Sequence, residues 1–150
     1  MNPIRNTFLI LSLLLLAAPL ASAQWMADFD AAKKKAAAEN KALLVEFTGS
    51  DWCPPCIALQ REVFSKKEFT DKASQDFVLV KVDFPKKKPL SPELQKKNEA
   101  LAKKYGIQGF PTILFMTPKG RVFKQAGYQP GGVKPYLGLL ESALQIKDLD

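Results

Sequence analysis

The chain has no histidine and only two cysteines in 150 residues. Structural zinc sites take four Cys or His ligands, so this inventory does not complete one. There is no glycine-rich phosphate loop, no nucleic-acid module, no internal repeat and no low-complexity tract. No nucleic-acid partner, metal or cofactor is therefore expected. Long apolar runs are also scarce. The run over residues 7–16 is short for a membrane span. Arg5 precedes it, and Pro19 and the A-x-A site Ala21-Ser22-Ala23 follow it. Residues 1–23 thus read as a secretory signal cleaved after Ala23, leaving 24–150 as one domain. With no cysteine at that site, lipoprotein processing is excluded. Export, most simply to a bacterial periplasm, means an oxidising compartment. A lone cysteine pair there is either a disulfide or actively kept reduced.

What is abundant is lysine. The formal net charge is +7. Lysines cluster at 33–35, 66–67, 86–88, 96–97 and 103–104. The first reading is solvated faces; the other is steering toward an acidic partner or an anionic membrane surface.

Both cysteines lie in Trp52-Cys53-Pro54-Pro55-Cys56. Proline suits the first helical position, where its missing N–H is not needed. Helix-compatible residues follow over 57–62. Cys53 then sits at a helix N-terminus, where backbone N–H groups and the macrodipole favour a thiolate, the species that attacks disulfides. Cys56 falls one turn further in, shielded. A static structural disulfide is the plainer alternative, but so short a loop gains little from bracing.

The remaining chain reads as alternating elements. Residues 28–40 form an alanine-rich helix with acids at its start. Residues 42–47 are a buried strand interrupted by Glu46, a carboxyl either placed for a reason or set on a solvated face. The active-site helix runs from Cys53 toward Phe64, and Ser65 caps a second helical segment over 66–74. Residues 77–84 are a strand. Residues 85–89 are a basic loop bounded by prolines. Ser91 and Pro92 open a helix that ends at Tyr105-Gly106. Residues 112–116 are a strand, 121–124 pair back antiparallel, 127–132 are a flexible link, and Val133, Tyr136, Leu137, Leu140 and Leu144 share one face of a last helix. The early crossovers favour parallel strands. The fold class is α/β, a central mixed β-sheet with helices on both faces.

Trp52-Cys-x-x-Cys56 and Gly109-Phe110-Pro111-Thr112 together resemble the thioredoxin superfamily across the whole mature chain. The resemblance implies a thioredoxin-like fold, a redox-active Cys53–Cys56 disulfide, and a cis Pro111 lying against it. It also implies that Phe110 offers backbone groups to an extended substrate, with Trp52 beside it. Glu46 stands where the family carries a buried aspartate, and Lys81 matches a nearby family lysine. This chain departs in three places. Glu46 lies seven positions before Cys53 rather than six. Pro54-Pro55 replaces Gly-Pro. The basic insert at 85–89 is longer than in a minimal thioredoxin. The block from Phe47 to Cys53 resembles exported bacterial relatives of the soluble reductase domain of transmembrane electron carriers.

The function expected from the resemblance is thiol-disulfide oxidoreduction on disulfide-containing client proteins. Cys53 attacks, Cys56 resolves, and Glu46 with Lys81 handles the proton. With no histidine between the cysteines, a reductant or mid-potential exchanger is expected, fed by a membrane thiol donor, and acting as a monomer. The alternative is a non-catalytic module that holds a client or Cu(I) on the two sulfurs.

Overall fold

The computed structural model describes residues 24–147; the expected signal segment lies outside them. Helix α1 spans Phe29–Glu39. The Asp28 carboxylate accepts from Ala31 N at 2.9 Å, and Asn40 closes the helix in the left-handed region at φ 53°. Strand β1, Ala42–Thr48, is buried at every position. Helix α2, Pro54–Leu59, starts at the cysteine motif. Then come α3 (Lys67–Asp76), β2 (Phe77–Asp83), α4 (Pro92–Lys104), β3 (Thr112–Met116), β4 (Val122–Ala126) and α5 (Val133–Lys147).

The sheet order is β2-β1-β3-β4. β1 and β2 run parallel, from Ala42 opposite Phe77 to Thr48 opposite Asp83. β3 runs antiparallel to β1, with Phe47 opposite Thr112. β4 returns antiparallel to β3, with a register shift at Phe115/Met116. Alternate strand residues face opposite sides. One face (Leu44, Leu79, Ile113, Phe115) packs on α2, the turn after it, α3 and α5 through Leu59, Phe64, Phe69, Tyr136 and Leu140. The other face (Leu43, Val45, Val80, Leu114) packs on α1 through Phe29, Ala32 and Ala36, with Leu101 of α4 beside them. A mixed sheet with helices on both faces is thus observed.

Four local features differ from the sequence reading. The active-site helix does not run uniformly to Phe64. Residues Gln60–Phe64 form a π turn, closed by Ser65 N donating to Gln60 O at 2.9 Å. Ser65 does not cap α3. The extra residue in the π turn leaves it terminating the preceding helix, its hydroxyl donating to Arg61 O, while Lys66 occupies the N-cap with no side-chain bond. The link over 127–132 is tied down, because the buried Tyr136 hydroxyl donates to Gly127 O and accepts from Gln129 N. Outside the predicted strands, Met26 bridges to the free edge of β2, bonding Leu79 O and Lys81 N.

Candidate active site

The antiparallel register assembles the site. β1 ends at Thr48 and β3 begins at Thr112, which lies opposite Phe47, so the segments after β1 and before β3 meet. After β1 the chain turns on Gly49, whose carbonyl accepts from Trp52 N at 3.3 Å and Cys53 N at 3.0 Å. Cys53 is the N-cap of α2 in extended conformation, with Pro54 first in the helix. Cys53 and Cys56 are joined by a disulfide, their Cα atoms 5.2 Å apart. Both are buried, Cys53 at 4% exposure and Cys56 at 1%. Position rather than exposure therefore distinguishes them: Cys53 Sγ lies 3.7 Å from Phe110 O. The Phe110-Pro111 bond is cis. Thr112 Oγ1 donates to Gly109 O at 2.7 Å, closing the turn that presents Phe110. A hollow of about 390 Å³ runs beside this turn, lined by Gln108, Gly109, Phe110, Pro111 and Gln125 among others.

Pro54 and Pro55 take the first two helical positions and carry no N–H. Ile57 N is bonded to Cys53 O. Of the first-turn donors, Cys56 N is the one left for a thiolate at the helix N-terminus.

Trp52 packs against Phe110 edge to face, ring centroids 6.1 Å apart, and its indole N–H donates to Phe84 O at 2.7 Å. Phe84 stacks on Phe110 at 5.1 Å. The indole lies so close over Gly49 that an added Cβ would come within 2.5 Å of it. Glycine is required there by space, not by its backbone angle.

Glu46 is 1% exposed and points to the sheet face that carries α2. Its strand neighbours are Lys81 and Ile113. Burial pushes its carboxyl up to about 7, against the opposing pull of Lys81 and the Thr48 hydroxyl. Its Oε2 is buried without a hydrogen-bond partner. The Lys81 ammonium donates to Gln60 Oε1 at 2.7 Å and lies 5.5 Å from the Trp25 ring. Among the described residues no ion pair joins it to Glu46. Cys53, Cys56, Trp52, Phe110 and Pro111 are thus brought together, and Glu46 with Lys81 lies on the α2 side of the sheet.

Several residues of the site were not singled out from sequence. Asp51 accepts from three consecutive backbone N–H groups, Lys86 at 2.9 Å, Lys87 at 2.7 Å and Lys88 at 3.2 Å. These bonds hold its carboxyl below the usual carboxylate range. Asp83 accepts from Ser50 N at 3.0 Å and from the Ser50 hydroxyl. The Lys86 ammonium sits 3.8 Å from the centroid of the Trp52 ring. The one available signal was an acid two residues before Cys53 in a chain with a proline-bounded basic insert. No group of three or more His, Cys, Asp and Glu able to hold a metal occurs among the described residues.

Residues 29–137 match the family model of the thioredoxin-like domain. The chain belongs to the thioredoxin-like family. This thioredoxin-like chain is 34% identical over 131 residues to the disulfide bond reductase DsbH of Chlamydia pneumoniae, covering 86% of the chain and 78% of the relative. It is 31% identical over 103 residues to the thioredoxin-related protein DsbJ of the same organism, spanning 69% of the chain but 30% of DsbJ. A solved DsbH oxidoreductase superposes with a TM-score of 0.77 at 34% identity, covering 88% of this chain and 92% of that one. A thioredoxin-like chain with its C-x-x-C pair closed at the start of α2 is a thiol-disulfide oxidoreductase. No described helix is long and apolar enough to cross a membrane.

Proposed function

We propose that the chain is an exported disulfide reductase or exchanger that acts on client proteins. The observation that carries this reading is the placement of Cys53 at the helix N-cap, against the Phe110 carbonyl, with Cys56 one turn further into α2. In the reduced protein the Cys53 thiolate attacks one sulfur of a client disulfide. A mixed disulfide forms and the other client sulfur leaves as a thiolate. Cys56, once deprotonated, displaces the client from Cys53. Two electrons pass to the client, which gains two thiols, and the Cys53–Cys56 disulfide is restored. Phe110 and Pro111 line the place where an extended client strand docks, and Trp52 walls it. Glu46, poised near neutrality, accepts the Cys56 proton, and Lys81 adjusts its charge.

The reducing direction is supported by the name of the DsbH relative and by the two prolines, which leave few N–H donors to stabilise a thiolate. In an oxidising compartment such a reductant needs a thiol donor, and a membrane carrier is the one proposed. Cys56→Ser tests the scheme. With resolution removed, client proteins accumulate as mixed disulfides on Cys53, visible on non-reducing gels and released by dithiothreitol. A variant that forms no adducts while Cys53 still alkylates would sink it.

A further inference from the structure

The loop over 85–89 is not a loose insert. Asp51, two residues before Cys53, holds three successive N–H groups of it. Its first lysine holds its ammonium over the indole that walls the site, and Trp52 Nε1 is bonded to Phe84 O at the base of the same loop. Phe84 in turn stacks on Phe110, whose carbonyl faces Cys53 Sγ. The loop is thus fixed to the site at three points. Lys86, Lys87 and Lys88 are all exposed. None of their ammonium groups is within ion-pair distance of a carboxylate among the described residues. The two nearby acids, Asp51 and Asp83, are turned to backbone and to Ser50. The surface beside the reactive cysteine therefore joins an aromatic wall of Trp52, Phe84 and Phe110 to three exposed lysines on a backbone that Asp51 holds in place.

We infer that this loop is a specificity element, selecting clients whose disulfide is flanked by an acidic segment of polypeptide, and that Asp51 is the residue positioning it. The inference rests on the reductase reading and adds the class of substrate. Opposite charge raises the encounter rate, and a lysine held on an indole loses less freedom on binding than a mobile one.

The test uses the pre-reduced protein in single turnover, so no electron donor is needed. Three synthetic peptides each carry one disulfide, flanked by glutamates, lysines or serines. The wild type is expected to reduce the Glu peptide about 10-fold faster than the Lys peptide at low ionic strength, with the ratio shrinking in high salt. Lys86→Glu should collapse the ratio, and Lys34→Glu on α1, the same change in net charge, should leave it intact. Asp51→Ala is decisive, because it makes the protein more positive. Diffuse attraction predicts a larger ratio; a positioned loop predicts a smaller one, partly recovered in Asp51→Asn, whose amide oxygen still accepts. Equal rates for the charged peptides, or a larger ratio in Asp51→Ala, overturns the inference while reduction of the Ser peptide leaves the reductase reading standing. No reduction of any peptide defeats both. Retention on phosphatidylglycerol vesicles that is lost in Lys86→Glu, with no peptide preference, assigns the loop to a membrane surface instead.

Discussion

Glu46 is a carboxyl in the middle of a fully buried strand, with one oxygen unbonded. Its folded-state value is raised from about 4.5 to about 7. In that window the folded chain binds more protons than the unfolded one, so stability must fall as pH rises. The contribution is fully present below pH 4.5 and is lost as pH rises through 7. At 1.36 kcal/mol per unit the loss is about 3 kcal/mol. Urea midpoints of the oxidised protein should decline between these limits, and Glu46→Gln should flatten the decline. Parallel curves for the two proteins would mean that the Glu46 carboxyl titrates alike in the folded and unfolded chains. The burial of Glu46 was open in sequence, since a strand acid facing solvent shows the same local pattern. Cys53, Cys56 and Pro111 were legible because their spacing and neighbours are themselves the signal. Asp51 was not, because its partners lie 35 to 37 residues away.

At the scale of elements, local chemistry decided most helix ends. Ser91 accepts from Leu94 N at 3.2 Å and Pro92 follows it in the first turn of α4. Gly106 leaves that helix with φ 64°, and Ile107 N reaches back to Ala102 O. Ser65 was the exception, since the preceding helix takes in one residue more than an α-helix would. Ser91→Ala should cost about 1 kcal/mol for the lost cap. Ser65→Ala, at an exposed position with no cap to lose, should stay within about 0.5 kcal/mol. Chemical denaturation of both variants compares them. A Ser65→Ala loss as large as that of Ser91→Ala would restore Ser65 as a cap. The π turn itself carried no sequence mark; Val63 and Phe64, adjacent in the chain, are both buried there.

For the whole molecule, stability concentrates in the two inner strands and the helices over them. Phe115 on β3 is fully buried and meets Phe77 edge to face at 5.5 Å. Phe115→Ala should cost about 3–5 kcal/mol. Val122→Ala, on the outer strand β4 and 37% exposed, should cost much less, under about 1 kcal/mol. Thermal melts that rank them the other way would place the core elsewhere. The kind and order of the elements, the π turn at Gln60–Phe64 aside, the helix start at Cys53 and the apolar face of α5 were determined by sequence alone. Each depends on period, propensity and neighbours within a few turns. The tertiary structure decided the direction of β3 against β1, which sets Phe110 beside Cys53. It also decided which face Glu46 meets, and that Asp51 holds the lysine loop beside Trp52. Those contacts join residues about 35 to 73 positions apart, and a local pattern specifies how a segment folds without naming what it packs against.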